Sequence, residues 1–197
     1  IGLAKPNKGR VLLNDREITR LPMFKRARLG LGYLAQAPSI FAKLSVEDNV
    51  LAILQTLKLP RAEQKKRLEE ALKELGLSKL SKQKAYTLSG GERRKLEITR
   101  ALVTNPSFIF MDEPFAGVDP IAVADIQDII AKLRDKDIGV MITDHNVIET
   151  LKIVNRAYII YEGKIIVSGS SKELINDEKA RQLYLGERFM SNPFDNM

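Results

Sequence analysis

Two adjacent acidic residues, Asp112 and Glu113, directly follow a strand-sized apolar run at residues 108–111. The carboxyl ends of strands in an open parallel sheet are where such sheets bind their ligands. Neighbouring side chains leave a strand in opposite directions, so the two acids are suited to different tasks. We expect one of these acids to hold Mg²⁺, which prefers oxygen ligands, and its neighbour to orient and deprotonate a water molecule. Taken alone, the pair also fits acids that end a strand and cap the next turn.

A second candidate motif lies upstream, where Ser89, Gly90, Gly91 and Glu92 open a predicted helix. Backbone N–H groups at a helix start bind anions, and glycines allow a phosphate to approach the backbone closely. This pattern therefore predicts a phosphate contact. An ordinary serine cap followed by a glycine loop has the same sequence signature.

Three further polar residues stand at the ends of predicted elements. Gln36 follows a predicted strand at residues 32–35, and Asp119 is a predicted helix cap with a proline directly after it. His145, the single histidine of the chain, follows an apolar run at residues 140–143. Each of these residues is unremarkable when considered separately.

Apolar patterning predicts the elements that must position these residues. Continuous apolar strands separated by helices indicate a parallel sheet covered on both faces, interrupted by a helical insertion at about residues 39–104. Ser45 predicts a helix start and Gly76 a helix end, and another helix is expected to begin near Gly91. Strands are predicted at residues 10–13, 17–18, 32–35, 108–111, 140–143, 158–161 and 164–167, and a helix at residues 121–133.

Composition narrows the class of protein. The 197 residues are 44% hydrophobic and contain no cysteine, which excludes a disulfide framework and a thiolate site. No apolar run is long enough to cross a bilayer, and the first residues do not form a signal peptide. The net charge is +7, and residues 61–100 hold 12 basic against 6 acidic side chains. Such an excess suits an anionic partner, but a solvated helix face is the favoured interpretation.

Considered in order along the chain, these residues resemble the ATP-binding subunit family of ABC transporters. Gln36 resembles the Q-loop glutamine, and residues 88–92 resemble the LSGGQ signature with Glu92 in place of the usual glutamine. Residues 108–114, 116–119 and 143–145 resemble the Walker B strand, the D-loop and the H-switch. The resemblance implies an α/β fold, a P-loop NTPase (RecA-like) core with a mainly parallel sheet and an α-helical signature subdomain.

The resemblance also implies a role for each candidate residue. Glu113 and His145 would be catalytic, and Asp112 and Gln36 would hold Mg²⁺. ATP would bind between two subunits of a head-to-tail homodimer. Its implied contacts in this sequence are Gln36, Ser89, Gly90, Gly91, Glu92 and Asp119.

A narrower resemblance is to the ATPase subunits of lipopolysaccharide export transporters. It is carried by residues 33–41, 88–94, 113–120, 143–146 and 184–187. It implies ATP-driven lipopolysaccharide export by a homodimer bound to two transmembrane permease subunits, peripheral on the cytoplasmic side of the inner membrane. Phe41 would then line the groove that receives a permease helix. ATPase subunits of branched-chain amino-acid importers are similar, so the transported substrate has an alternative.

No phosphate-binding loop of the form G-x-x-x-x-G-K-[S/T] occurs in the 197 residues. We therefore expect an N-terminally truncated cassette with little ATPase activity on its own, or an inactive module that retains only binding. Nucleic-acid-associated relatives are a further alternative, but they carry long coiled coils or two cassettes. Residues 37–88 show no sustained heptads, and no nucleic-acid partner is expected.

The expected organisation has four segments. Residues 1–38 form the part of the nucleotide-binding core that leads to the Q-loop, and residues 39–104 form the helical signature subdomain. Residues 105–170 carry the Walker B strand, the D-loop and the H-switch. Residues 171–197 form C-terminal helices and a frayed tail that begins at Ser191.

Overall fold

The computed structural model describes residues 1–182 of the chain. The chain divides into two compact units, Ile1–Asp144 and a second unit that begins at His145. The predicted tail from Ser191 and the family-like residues 184–187 lie outside the described residues. The four-segment organisation stays a prediction.

The first unit contains a small N-terminal hairpin, a parallel sheet and a set of helices. The sequence predicted most of these elements, and their ends differ by a few residues. Its elements in chain order are β1 (Leu12–Leu13), β2 (Arg16–Glu17), α1 (Met23–Arg28), β3 (Leu31–Leu34), α2 (Val46–Gln55), α3 (Arg61–Glu74), short 3-10 turns at Ser78–Leu80 and Ala85–Thr87, α4 (Gly90–Leu102), β4 (Phe108–Asp112), α5 (Pro120–Asp135) and β5 (Gly139–Thr143).

The predicted parallel sheet is confirmed for three strands in the order β3, β4, β5. Leu34 of β3 pairs with Met111 of β4, and Asp112 at the end of β4 pairs with Thr143 of β5. Since the strands are parallel, their carboxyl ends meet at one edge of the sheet. Gln36 and Glu113 each follow these paired strand ends by one or two residues.

Burial of the sheet is one-sided in the described residues, and the prediction of two covered faces is wrong there. Ile109 and Met111 of β4 are fully buried, as is usual for a strand under a helix layer. Phe108 and Phe110 alternate with them, lie on the opposite face, and contact each other with ring centroids 5.1 Å apart. Both are only partly buried, and Met141 of β5 is 48% exposed.

The helical insertion has a core of its own, formed mainly by α2, α3 and α4. Leu54, Leu72 and Leu96 are buried at its centre. The predicted caps are present: the Asp48 N–H donates to Ser45 Oγ at 3.1 Å. Gly76 ends α3 in the left-handed conformation, at φ 71°, which glycine adopts without steric cost.

The second unit contains an antiparallel hairpin packed on short helices. Its described elements are α6 (Val147–Leu151), β6 (Ala157–Tyr161), β7 (Lys164–Gly169), α7 (Ser171–Asn176) and α8 (Glu178–Ala180). Glu162 and Gly163 form the predicted two-residue turn, both at positive φ, as a type I′ hairpin requires. Leu151, Leu174 and Ile175 form the buried centre of this unit.

No helix within residues 1–182 is both long enough and apolar enough to cross a membrane.

Candidate functional site

Asp112 is held at the carboxyl edge of the sheet by the two neighbouring strands. Thr143 donates its hydroxyl hydrogen to Asp112 Oδ1 at 2.6 Å, and the Tyr33 hydroxyl donates to Oδ2 at 3.4 Å. Burial, the Asp112 charge and this hydrogen bond together raise the pKa of the Tyr33 phenol, so it remains a donor. Both carboxylate oxygens are therefore oriented by side chains from β3 and β5.

Glu113 has an unusual backbone conformation. It lies at φ 44°, in the left-handed region, which a non-glycine residue occupies at a cost of roughly 1–2 kcal/mol. Its N–H donates to the Thr143 carbonyl at 2.7 Å, so the end of β5 holds the strained residue in place. Strain of this kind concentrates at functional sites.

Arg94 binds the main chain around both acids and was not identified from the sequence. It is buried on α4 and donates to the carbonyls of Asp112 at 3.0 Å, Glu113 at 2.9 Å and Pro114 at 3.1 Å. A fourth bond, 2.9 Å long, reaches the carbonyl of Ala35, the residue before Gln36. One guanidinium thus connects the ends of β3 and β4.

Glu97 is the charged partner of Arg94, one helical turn further along α4. Its Oε2 accepts a hydrogen bond from Arg94 at 2.9 Å, and both side chains are almost completely buried. Its other oxygen, Oε1, accepts the N–H of Ser39 at 3.0 Å. The pair therefore binds the segment around Gln36 at two points. The side chain of Gln36 itself is exposed.

Ser89 and Glu92 form a reciprocal capping box at the start of α4. The Glu92 N–H donates to Ser89 Oγ at 3.3 Å, and the Ser89 N–H donates to Glu92 Oε2 at 2.8 Å. The serine cap considered above is therefore present. The amides of Gly90 and Gly91 occupy the first two helical positions, which have no acceptor within a helix.

The two signature glycines also pack against the segment around Asp119. A Cβ on Gly91 would lie 2.5 Å from Ala122 Cβ, and one on Gly90 would lie 3.3 Å from the Gly117 carbonyl oxygen. Asp119 caps α5 as predicted, since the Ala122 N–H donates to its Oδ1 at 3.0 Å. The structure thus brings the signature motif and the Asp119 turn together, and close packing is one reason for the glycines.

Phe41 lies on the surface of the helical insertion, 47% exposed. The buried side chain of Asn49 binds its backbone twice, accepting the Phe41 N–H at 2.8 Å and donating to its carbonyl at 3.0 Å. The Leu44 N–H donates to the Phe41 carbonyl, and the Tyr86 N–H donates to the carbonyl of the next residue, Ala42. Leu44 and Tyr86 are both exposed hydrophobic residues. The predicted partner-binding residue is therefore a surface aromatic on a fixed backbone.

His145 is exposed and is the first residue of the second unit. Its carbonyl accepts the Val147 N–H at 3.1 Å. Asp144, directly before it, accepts the Phe115 N–H at 3.2 Å, so the chain leading to His145 is tied to the turn that follows Glu113.

Mg²⁺ is compatible with the Asp112 position. No group of three or more His, Cys, Asp or Glu side chains within residues 1–182 could enclose a metal ion. Mg²⁺ does not need such a cage, because it keeps several waters and binds through one or two carboxylates together with substrate phosphates. A single carboxylate oriented by Thr143 and Tyr33 fits that coordination.

Comparisons with known proteins give one consistent family. The family model described as "ABC transporter" matches residues 1–116. The lipopolysaccharide export system ATP-binding protein LptB of Acidithiobacillus ferridurans is 53% identical over 189 residues, which cover 96% of this chain and 78% of that protein. The protein of the same name from Escherichia coli K12 is 48% identical over 96% of this chain and 79% of its own length.

Solved structures agree with the sequence comparisons. An ATP-binding cassette of an ABC transporter, crystallised in its ADP conformation, is 30% identical with a TM-score of 0.82. That match covers 94% of this chain and 80% of the cassette. The cassette cbiO1 from Clostridium perfringens, part of the transporter complex cbiONQ, has a TM-score of 0.81 at 29% identity and covers 91% of this chain and 72% of its own.

Proposed function

The chain belongs to the family of ABC transporter ATP-binding subunits, which are ATPases, and from this premise we propose that it hydrolyses ATP in a head-to-tail homodimer to drive lipopolysaccharide export. The observation that carries the proposal is the pair Asp112 and Glu113 at the edge of the parallel sheet. The Asp112 carboxylate is hydrogen-bonded by Thr143 and Tyr33, and Glu113 directly after it is held in a left-handed backbone conformation.

In this proposal the two acids divide the work. Asp112, with Gln36, holds Mg²⁺, and this ion would neutralise charge on the ATP phosphates. Glu113 orients the attacking water and accepts its proton. Arg94 holds the backbone of these residues in place. It binds the carbonyls on both sides of Glu113 and that of the residue before Gln36.

The remaining assignments follow the family resemblance. Ser89, Gly90, Gly91 and Glu92 contact the γ-phosphate of ATP bound mainly to the other subunit. This is supported by the start of α4, where Ser89 and Gly90 are exposed and the amides of the first helical positions have no acceptor within the helix. Asp119 contributes at the same interface, and His145 contacts the γ-phosphate. Preorganised donors of this kind stabilise charge that develops in the transition state.

We assign the Phe41 surface to two transmembrane permease subunits, so that the homodimer is peripheral on the cytoplasmic side of the inner membrane. Several relatives that match at 46–53% identity are named for lipopolysaccharide export, which favours that cargo over branched-chain amino acids. No nucleic-acid partner is proposed, since surface acids accompany many of the basic side chains, as in the Arg67–Glu63 and Lys82–Glu47 pairs.

The test of the catalytic assignment is Glu113→Gln in the full-length protein assembled with its membrane subunits. Loss of the base is expected to lower hydrolysis in this complex by about 100-fold or more. ATP is still expected to promote dimerisation of the full-length subunit free of its membrane partners, measured by light scattering. Asp128→Asn, an equal change at an exposed acid of α5, is the matched control and is expected to retain turnover. Unchanged hydrolysis in Glu113→Gln would remove Glu113 from this role.

The cargo is tested separately in liposomes that contain the assembled transporter. ATP-dependent release of labelled lipopolysaccharide is the expected result. ATP-dependent movement of a branched-chain amino acid, with no release of lipopolysaccharide, would replace the export assignment but leave the ATPase assignment intact.

A further inference from the structure

Helix α4 carries three charged side chains at intervals of one turn, Arg94, Glu97 and Arg100. Residues three apart on a helix share a face, so all three can reach the same neighbouring segment. Arg94 binds the Ala35 carbonyl, and Glu97 accepts the Ser39 N–H. Arg94 and Glu97 thus bind residues 35–39, the part of the segment that contains Gln36. Arg100 contacts the same segment at Ser39 and Phe41.

Arg100 makes two contacts with the segment that leads to Phe41. Its Nη1 donates to the Ser39 carbonyl, and its guanidinium carbon lies 4.7 Å from the centroid of the Phe41 ring. Asn49 fixes the backbone of Phe41, but a fixed backbone leaves the ring free to choose its rotamer. The guanidinium supplies the missing constraint, since it lies against the ring.

The environment of Arg100 strengthens this contact. Burial lowers the pKa of Arg100 from its ordinary value, an effect that Glu97 opposes, so the guanidinium is partly removed from water. Among the described residues, its buried Nε has no hydrogen-bond acceptor. Besides the Ser39 carbonyl, the ring of Phe41 is therefore a partner of this partly desolvated cation, and cation–π contacts strengthen as the cation loses water.

We propose that Arg100 is a positioning residue for partner docking, which holds the Phe41 ring in the orientation that a permease subunit binds. This rests on the proposed function, because it takes the Phe41 surface to be the docking site. Arg100 binds both the Phe41 ring and the Ser39 carbonyl. Docking at Phe41 therefore acts on the same backbone segment that Arg94 and Glu97 bind on either side of Gln36. The partner contacts the exposed part of Phe41, and Arg100 acts on docking through that ring without touching the partner.

The test measures binding of the full-length protein to the two transmembrane subunits of the lipopolysaccharide exporter in nanodiscs. We expect Phe41→Ala to weaken binding at least tenfold and Arg100→Gln about fivefold, the loss that one cation–π contact would cause. Arg100→Lys keeps the charge without the planar fork and is expected to recover binding in part. Arg61→Gln, at an exposed arginine of α3, is the matched control for charge.

The double variant Phe41→Ala/Arg100→Gln separates positioning from a direct contact. If Arg100 acts through the ring, the double variant binds no more weakly than Phe41→Ala alone. Additive losses would mean that Arg100 supports binding by a route other than the Phe41 ring, such as direct contact with the partner, and they would overturn the inference. The inference would also fail if Arg100→Gln bound normally while Phe41→Ala did not. Normal binding by Phe41→Ala would instead refute the docking surface of the proposed function, and the inference with it.

A second measurement reports on the segment without the partner. The Ser39 N–H is protected by its hydrogen bond to Glu97, so it exchanges only when the segment opens. Arg100→Gln is expected to accelerate this exchange about tenfold, because the segment opens more readily once the Ser39 carbonyl has lost its donor. Unchanged exchange there would show that Arg100 does not hold the segment.

Discussion

Replacing Arg94 by methionine tests whether one buried guanidinium holds the candidate site together. The change keeps a long apolar side chain and removes every donor. Four carbonyl groups lose a charged partner, at Ala35, Asp112, Glu113 and Pro114. Glu97 keeps its negative charge in a position where only 4% of its side chain is exposed.

The expected cost follows from that geometry. Removing one member of a buried ion pair costs about 3–5 kcal/mol, because the other charge stays buried without compensation. The Ser39 N–H still donates to Glu97, which offsets part of this penalty. We therefore expect a loss of about 3–4 kcal/mol in the free energy of unfolding. At a urea slope of about 2 kcal/mol per molar, the midpoint falls by roughly 1.5–2 M.

The assay is urea unfolding of the full chain, followed by circular dichroism at the helix band. Arg134→Met on α5 is the matched control, since Arg134 is 61% exposed and its contact with Asp135 is long, at 3.9 Å. That variant is expected to change stability by less than about 0.5 kcal/mol. The second arm is Arg94→Met/Glu97→Gln, in which the uncompensated charge is gone but an oxygen remains for the Ser39 N–H.

The double variant is expected to lose at least about 1.5 kcal/mol less than the sum of the two single variants. Strict additivity would show that Arg94 and Glu97 do not act as a pair. A loss below about 1 kcal/mol for Arg94→Met would refute the reasoning more directly, because the four carbonyls would then not depend on this donor.

Two further predictions concern other parts of the chain. Gly91→Ala places a Cβ 2.5 Å from Ala122 Cβ and is expected to cost about 1–3 kcal/mol, whereas adding Ala122→Gly should recover part of the loss in urea unfolding; further destabilisation by the second change would contradict the packing argument. Hydrogen bonds from the backbone and side chain of Ser170 lower the pKa of Glu173. The stability that ionised Glu173 contributes to the second unit is therefore present above the pKa of an unfolded glutamate. It is lost as the pH falls through the lower pKa of the folded state. A carboxyl titration by NMR should show Glu173 titrating below an ordinary glutamate, and Ser170→Ala should reduce the difference without abolishing it, because the backbone N–H of residue 170 still donates to Glu173; equal titration in both proteins would show that the serine hydroxyl contributes nothing to it.

Much of the fold could be predicted because it depends on local patterns. The apolar run at residues 108–111, the Ser45 cap and the Asp119 cap are each written within a few neighbouring residues, and each is present in the structure. The parallel sheet followed from the same runs, since strands separated by helices favour that arrangement. The order of the motifs identified the family, which the comparisons confirm.

The conformation of Glu113 and the exposed sheet face could not be read in the same way. A left-handed glutamate leaves no mark in a sequence, because the strain is supported by the Thr143 carbonyl, thirty positions away along the chain. The apolar character of Phe108 and Phe110 suggests burial, yet it does not say which side of a strand the helices cover. Both features depend on tertiary packing that no short pattern contains.

The Arg94–Glu97 pair shows most clearly why the site was only partly predictable. An arginine and a glutamate three residues apart on a basic helix are the usual sign of a solvated surface pair. What distinguishes this pair is burial, and burial is decided by backbone from distant parts of the sequence, the ends of β3 and β4. Carbonyls at strand ends need donors once they are covered, and an arginine can satisfy several of them at once. The side chains that bind these carbonyls also fix the backbone positions of Gln36 and Glu113. Stability and catalytic geometry therefore depend on the same face of α4. A variant that loosens that face is therefore expected to impair both together, whereas a change at Glu113 alone is expected to impair only hydrolysis.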